Sequence, residues 1–198
     1  ALQYSQTEGY APLREIIAGN VSKYGIKVSA DNVLVTTGSQ QALDIIGRIF
    51  INRGDRVLTE SPTYLGALQA WNAYGAVYET VISDDDGLCT DDLAQNPAGV
   101  TISLERRQKL VELADRYCVP IVEDDPYGQL RFEGDHLPPV VVMDDELRDK
   151  ANLTYRGNVI YTSTVSKILA PGLRIGWVIA PNEVIKKMVQ AKQGADLQ

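Results

Sequence analysis

The sequence predicts an α/β fold, with a mostly parallel sheet and helices on both of its faces. Strand-like runs of about five residues, such as 33–37 and 56–60, alternate with amphipathic segments of roughly ten or more. Short apolar strands that alternate with helices are typical of a parallel sheet buried on both sides. The 198 residues are 44% hydrophobic and 23% charged, so the chain can bury a sizeable core.

Cap and turn signals set the boundaries of these elements. Pro12 stands in the first turn of the first predicted helix, Gly25 follows its end, and Ser103 caps a charged helix that ends near Tyr117. In chain order the prediction is a helix from 12 to before 25, a strand at 33–37, a helix to 50, a strand at 56–60, a helix at 64–74, a strand at 76–82, a helix at 103–117, strands at 119–123, 158–162 and 174–180, and a helix at 181–193.

One stretch breaks this alternation. Residues 84–94 are polar and predict no strand before Asn96. Site residues in open α/β sheets follow the carboxyl ends of strands, so Asn96 should have a strand upstream. Either a loop delivers Asn96 or a segment is missing near 93–95, and we favour the missing segment. The acidic runs at 84–86 and 144–146 are interpreted as solvated loops or helix starts.

Charge and composition exclude several classes of function. A net charge of −7 argues against a nucleic-acid partner, which needs clustered Lys and Arg. No apolar run approaches the roughly 18 residues that cross a bilayer, so no membrane partner is predicted. The two cysteines, Cys89 and Cys118, are too few for a disulfide framework and suit a reducing cytoplasm. We predict no metal site.

The strongest chemical signal surrounds Lys167. The lysine follows a predicted strand, hydroxyls stand at Thr164 and Ser166, and Arg174 comes seven residues later. A lysine amine can condense with an aldehyde, and an arginine can bind phosphate with two parallel hydrogen bonds. An ordinary surface lysine is the simpler interpretation of most lysines, but it explains this combination poorly.

A second signal ends the strand near 121. Glu123, Asp124 and Asp125 are equivalent by chemistry, and each could pair with the protonated ring nitrogen of a pyridine cofactor. Spacing to Tyr127, which could reach the phenolic oxygen of the same ring, favours Asp124. An acidic turn at the end of a strand is the alternative.

Three weaker motifs have equally plausible structural explanations. Asn96, within Gln-Asn-Pro, could present an amide to the phenolic oxygen or could simply form a turn. Ser39 and Gln40 follow Gly38 at a strand-to-helix junction, which could bind an anion or be an ordinary helix cap. Tyr64 could stack on a ring or pack in the core.

The order of these motifs resembles the fold-type I pyridoxal 5′-phosphate (PLP) enzymes of the class I/II aminotransferase family. The resemblance runs from Leu2 to about Gln193, and the segment 2–13 looks like the branch of 2-aminoadipate, kynurenine and aromatic aminotransferases. It implies that Lys167 bonds to the cofactor, Asp124 holds the pyridine nitrogen, and Asn96 and Tyr127 hold the phenolic oxygen. It further implies that Tyr64 stacks on the ring, that Ser39, Gln40, Thr164, Ser166 and Arg174 meet the phosphate, and that Tyr4 reaches the phosphate of a neighbouring subunit.

The sequence departs from the family pattern in two ways. Ser163-Thr164 stands where relatives usually carry Gly-Ser, and threonine keeps the hydroxyl. The family's substrate-carboxylate arginine lies in a carboxy-terminal small domain that we do not find here. Residues 1–198 are therefore predicted to be an incomplete PLP-transferase large domain, without the small domain and the first amino-terminal part.

The resemblance implies transamination by a homodimer. An amino group would pass from an L-amino acid, such as an aromatic one or 2-aminoadipate, to a 2-oxo acid such as 2-oxoglutarate. Two alternatives remain open: a PLP-binding effector domain of a GntR/MocR-type transcription regulator, and a PLP-dependent β-lyase. Regulators of that type tend to lose the asparagine that Asn96 supplies here.

Overall fold

The computed structural model describes residues 5–81, 83–84, 87–88, 102–128, 130, 137–148 and 154–195. Helices and strands alternate along this part of the chain, as the sequence predicts. The helices are α1 (Ala11–Ser22), α2 (Ser39–Phe50), α3 (Leu65–Asn72), α4 (Leu104–Tyr117), α5 (Val140–Glu146) and α6 (Asn182–Gln193). The strands are β1 (Val33–Thr36), β2 (Arg56–Glu60), β3 (Val77–Val81), β4 (Ser83–Asp84), β5 (Gly87–Leu88), β6 (Ile121–Asp124), β7 (Val159–Thr164) and β8 (Gly176–Ile179).

The main sheet has the strand order β1-β8-β7-β6. Strands β6 and β7 are parallel, and β2 and β3 form a separate parallel pair. The expectation of a mostly parallel sheet needs one correction, because β8 is antiparallel to both of its neighbours. Residues 165–175 join β7 to β8 without an α-helix, and a parallel crossover needs a longer connection, usually a helix.

Helices cover both faces of the main sheet, which confirms the predicted architecture. Alternate residues of each strand enter two different cores, as the two-residue period of a strand requires. On one face Val159 and Ile179 pack with α1, α4 and α5. On the other face Ile160 and Val178 pack with α2, α3 and α6.

Two strands begin later than predicted because a residue in the left-handed region precedes each of them. Cys118 has φ 53° at the end of α4, so the strand expected from 119 begins at Ile121. Arg174 has φ 52°, so the strand expected from 174 begins at Gly176. Extended backbone cannot pass through such a conformation.

The segment expected to lack a strand contains one short pairing. Strands β4 and β5 have two residues each and are antiparallel, within the region interpreted as polar loop. The proposed gap near 93–95, Asn96 and Tyr4 all lie outside the described residues.

The interpretation of 144–146 as solvated is wrong at its first residue. Asp144 is fully buried within α5, where it forms an ion pair with Arg148. It also accepts hydrogen bonds from the hydroxyl of Tyr155 and, at 3.0 Å, from the backbone N–H of Val159. A buried carboxylate needs such partners, and here they fix the start of β7. No described helix has both the length and the apolar character to span a bilayer.

Candidate functional site

A cleft of about 460 Å³ opens at one edge of the main sheet. Strands β1, β6 and β7 run in the same direction, so their carboxyl ends, with the helix starts that follow, meet there. Nine of the eleven site residues predicted from the sequence line it, and the other two are Tyr4 and Asn96. The lining consists of Gly38, Ser39, Gln40, Tyr64, Asp124, Pro126, Tyr127, Thr164, Ser166, Lys167, Pro171 and Arg174.

The amino-terminal end of α2 forms one wall of the cleft. Gly38 precedes the helix with φ 96°, and no side chain caps the first backbone N–H groups. Arg174 reaches the same place, where its Nη2 donates to the carbonyl oxygen of Thr37 at 3.2 Å. Uncapped N–H groups beside a guanidinium form a site for an anion such as phosphate.

Two glycines permit this close approach. A Cβ on Gly38 would lie 2.8 Å from Nη2 of Arg174. A Cβ on Gly176 would lie 2.8 Å from the backbone nitrogen of Ser39. A larger residue at Gly38 would displace the guanidinium of Arg174, and one at Gly176 would collide with the backbone at the start of α2. The sequence motif contained Gly38, but a single sequence gave no reason to assign it a role.

The hydroxyls before Lys167 have different tasks. Thr164 donates from Oγ1 to the carbonyl oxygen of Ile175 at 2.8 Å and accepts from the backbone N–H of Ser166 at 3.1 Å. Its single hydroxyl proton is therefore committed to the turn that precedes Lys167. Ser166, whose Oγ lies 2.9 Å from Oγ1 of Thr164, also lines the cleft, and rotation of its hydroxyl can direct the proton to a bound anion.

Gln40 and Tyr64 meet across the mouth of the cleft. Nε2 of Gln40 donates to the carbonyl oxygen of Gly66 at 2.8 Å, and a Cβ on Gly66 would collide with the ring of Tyr64. The side-chain amide of Gln40 is thus engaged, and its backbone N–H at the start of α2 is the group that can face an anion. Tyr64 is 57% exposed, so its ring is available to a ligand rather than packed in the core.

Lys167 and Tyr127 lie together at the other wall. Nζ of Lys167 is 5.4 Å from the centroid of the Tyr127 ring, within the range of a cation–π contact. The two residues come from different strand ends, β7 and β6. Their proximity places the phenol where it can contact a ligand that is bonded to the lysine amine.

The three acidic residues at the end of β6 have distinct surroundings. Glu123 accepts from the backbone N–H groups of Val140 and Val141, at 2.8 and 3.2 Å, and so anchors the start of α5. Burial, and secondarily the nearby Asp125 charge, raise the pKa of Glu123 to about 7, against the opposing effect of those two hydrogen bonds. The side chains of Glu123 and Asp124 point to opposite faces of the strand.

Asp125 also turns away from the cleft. Its Oδ2 accepts from the hydroxyl of Tyr161 at 3.3 Å, and its carbonyl oxygen accepts from Ser163 at 2.7 Å. Burial first, then the Asp125 and Glu123 charges, raise the pKa of Tyr161, which therefore stays a hydrogen-bond donor. Asp125 thereby ties the end of β6 to β7.

Asp124 alone of the three lines the cleft. Its Oδ1 is sealed from solvent and has no hydrogen-bond partner among the described residues. Desolvation, and secondarily the Asp125 charge, raise the pKa of Asp124 to about 6. A buried acceptor without a donor, such as Oδ1 of Asp124, can pair with the N–H of a cationic ring. The anion site at the start of α2 and the amine of Lys167 lie in the same cleft. The described residues therefore fit PLP.

Comparisons with known proteins agree on one family. A family model for aminotransferase class I and II matches residues 1–195. Aromatic-amino-acid aminotransferase 1 of Thermococcus litoralis is 43% identical, covering 100% of this chain and 50% of the relative. The 2-aminoadipate transaminase of Thermus thermophilus is 41% identical, covering 100% and 51%. The chain thus spans about half the length of these curated relatives.

One solved structure and one more distant relative are also similar to this chain. LysN, an α-aminoadipate aminotransferase of Thermus thermophilus complexed with N-(5′-phosphopyridoxyl)-L-leucine, superposes with a TM-score of 0.87. It is 37% identical, covering 100% of this chain and 52% of that one. A helix-turn-helix transcriptional regulator of Bacillus subtilis is 30% identical, covering 99% of this chain and 42% of the regulator.

Proposed function

Because the chain belongs to the aminotransferase class I and II family, we propose that its cleft binds PLP and that the complete protein is an aminotransferase. The observation that carries the proposal is the unpartnered Oδ1 of Asp124 in the same cleft as Lys167 and Arg174. Asp124 offers an acceptor for a ring nitrogen, Lys167 offers an amine for an aldehyde, and Arg174 offers hydrogen-bond donors for a phosphate.

Each wall has a separate task in holding the cofactor. Arg174, the start of α2 and Ser166 bind the phosphate, with Ser39 and Gln40 contributing backbone N–H groups. Asp124 would accept from the pyridine nitrogen, and Tyr127 would donate to the phenolic oxygen, with Asn96 assigned the same task by the family resemblance. Tyr64 covers the ring. Thr164 shapes the turn that presents Lys167.

The bound cofactor supplies an electron sink for negative charge that develops at the substrate Cα. Lys167 would hold the aldehyde end of the cofactor through its amine. The same amine would move the proton at the substrate Cα, as a general base and then a general acid. Asp124 keeps a positive charge on the ring nitrogen throughout, because a carboxylate stabilises that charge at short range.

The relatives indicate the substrate class. One at 43% identity is named for aromatic amino acids, and one at 41% for 2-aminoadipate. We infer that an amino acid of this kind is the donor and that a 2-oxo acid, with 2-oxoglutarate the first candidate, is the acceptor. The family resemblance implies that the arginine for the substrate carboxylate lies in the small domain.

The domain proposal also has support in the comparison. The alignment with the Thermococcus litoralis enzyme extends over 220 residues, although this chain has 198, so the relative carries residues without a counterpart here. This is the result expected if a segment is missing near 93–95. Residues 1–198 then form an incomplete PLP-binding large domain that pairs with a small domain.

A homodimer completes the proposed site. Tyr4 of one subunit would donate to the phosphate in the other. Leu65 follows the site residue Tyr64, and Leu169 comes two residues after Lys167. Their side chains are 63% and 74% exposed. Large apolar side chains beside a cleft are the kind of surface that a partner subunit covers. Cytoplasmic location stays a prediction that rests on the cysteines.

Spectroscopy of the intact protein tests the reaction. Mixed with an aromatic or dicarboxylic amino acid, the holo-protein should lose the absorbance of the lysine-bound cofactor and gain that of the amine form. Addition of 2-oxoglutarate should reverse the change. An absorbance that did not change with any of a broad panel of amino acids would instead favour an effector domain of a regulator, and one relative is named as a helix-turn-helix transcriptional regulator. Steady release of ammonia would favour a β-lyase.

A further inference from the structure

Thr162 stands beside Asp124 on the neighbouring strand of the main sheet. The two residues are in register on β7 and β6, which are parallel, so their side chains share a face. The preceding pair in register, Ile160 and Val122, packs on the α2 side of the sheet. Two residues further along, Thr162 and Asp124 are on that same side, towards the helix whose first residues line the cleft.

The hydroxyl of Thr162 lacks a partner. The residue is fully buried, and Oγ1 has no hydrogen bond among the described residues, as is true of Oδ1 of Asp124. A sealed hydroxyl costs free energy that a nearby acceptor would recover. Two unsatisfied oxygens on adjacent strands, one able to donate and one able to accept, are complementary.

Within the part of the chain that the structure describes, the other neighbours of Thr162 on that face offer no comparable acceptor. Val178, in register on β8, and Ile160, two residues earlier on β7, are apolar. Thr164, two residues later, already shares its oxygen with Ser166 and Ile175. Asp124 is therefore the acceptor that remains, and a carboxylate has lone pairs for both a threonine and a ring nitrogen.

We propose that Thr162 is a positioning residue whose hydroxyl donates to the Asp124 carboxylate, directly or through one buried water, when the cofactor is bound. The donated bond fixes the carboxylate against the ring nitrogen and favours its charged form. This inference rests on the proposed function, because it assumes PLP in the cleft. It assigns a role to a residue that is not among those lining the cleft.

Substitutions in the intact, cofactor-loaded protein test this role. Thr162→Val keeps the branched shape and removes the hydroxyl, whereas Thr162→Ser keeps the hydroxyl. With PLP labelled by ¹⁵N in the ring, Thr162→Val should move the ¹⁵N resonance towards the unprotonated pyridine position. It should also speed cofactor dissociation by about tenfold, the scale of one hydrogen bond to a charged group. Thr162→Ser should resemble the unsubstituted protein in both measurements.

A second background separates positioning from packing. In Asp124→Asn, Thr162→Val should change neither quantity further, because the charged acceptor is gone. The same tenfold effect in both backgrounds would show that Thr162 acts through packing and would overturn the inference. So would a Thr162→Val protein with an unchanged resonance and dissociation rate. Circular dichroism and the Tm of the apo-protein should show a folded variant, since a methyl group replaces an unpartnered hydroxyl.

The two proposals fail in different ways. A protein that binds PLP normally yet transfers no amino group would refute the aminotransferase and leave the role of Thr162 open to the same measurements, which need no turnover. An intact protein that binds no PLP would overturn both.

Discussion

Arg174 and Thr37 are joined by a hydrogen bond of 3.2 Å between Nη2 and a carbonyl oxygen, although 137 positions separate them in sequence. The contact fixes the guanidinium over the start of α2 and depends on the bare Cα of Gly38 between them. It links a strand-end motif near the beginning of the chain to the turn that follows Lys167. The proposed phosphate site therefore exists only when β1 and the β7–β8 connection have assembled.

Substitution of Gly38 tests this arrangement. Gly38→Ala places a methyl group against Arg174 and should weaken PLP binding by about tenfold or more, because a charge-assisted contact is displaced. Gly54→Ala is the matched control: its φ of 92° is as unfavourable, but nothing lies within 4 Å of the added Cβ. Both variants should lose about 1–2 kcal/mol of stability from the backbone conformation. Equal PLP affinities by titration, measured from cofactor fluorescence, would contradict the assignment.

Borohydride reduction identifies the lysine. Reduction of the holo-protein should fix a pyridoxyl group on Lys167, which is the described lysine lining the cleft. Lys186 is a useful internal comparison, because it is exposed and paired with Glu183 on α6. Peptide mapping by mass spectrometry should find the label on the first and not on the second. A label on any lysine other than Lys167 would end the assignment.

Adjacent carboxylates should differ in their contribution to catalysis. Asp124→Ala should retain cofactor but lose transamination by a factor of about 10² or more, because the charge that faces the ring nitrogen is removed. Asp125→Ala should be far milder, since its carboxylate contacts Tyr161 on the other face of the strand. The two variants are compared by the rate of the half-reaction with a single amino acid. A larger loss in Asp125→Ala than in Asp124→Ala would show that Asp125, and not Asp124, faces the ring nitrogen.

The protonation of Asp124 should respond to its neighbour. In the apo-protein, ¹³C NMR of this carboxyl should give a pKa of about 6, with burial the main cause and the Asp125 charge the second. Asp125→Asn should therefore lower the pKa of Asp124 but leave it above 3.8, its ordinary value. A pKa that stayed at about 6 would mean that Asp125 contributes nothing.

The same pKa has a consequence for stability. A carboxyl whose pKa is higher in the folded than in the unfolded state stabilises the fold at low pH and loses that contribution as pH rises through the folded value. Between about pH 4 and pH 7, Asp124→Asn should become progressively more stable relative to the unsubstituted apo-protein, by at most about 3 kcal/mol. Urea unfolding at several pH values measures the free energy of unfolding of both proteins. A difference between them that does not change with pH would contradict the titration of a buried Asp124 carboxyl.

Mixed dimers test whether subunits share the site. Combining Tyr4→Phe subunits with Lys167→Ala subunits gives heterodimers in which one site carries both lesions and the other carries none, if Tyr4 serves its neighbour. About half of the activity of the unsubstituted dimer should then return per heterodimer. If Tyr4 serves its own subunit, every site carries one lesion and activity should not return. A fully active monomer would also exclude the shared arrangement.

The sequence by itself determined the α/β class and the motifs that lie within single strand ends. Lys167 and Arg174, or Asp124 and Tyr127, are close along the chain, so their spacing and the strand before them are enough to place them together. The tertiary structure decided the rest. Spacing to Tyr127 already favoured Asp124 among three neighbouring carboxylates, and the tertiary structure supplied the physical reason. Alternation along β6 puts Glu123 and Asp124 on opposite faces, and the packing of α2 and α5 decides which face borders the cleft. The direction of β8, which is antiparallel to its neighbours, the burial of Asp144 and the position of Thr162 beside Asp124 also follow only from the tertiary structure. Each of these depends on contacts between residues far apart in sequence, whose free energy arises only when the elements pack together.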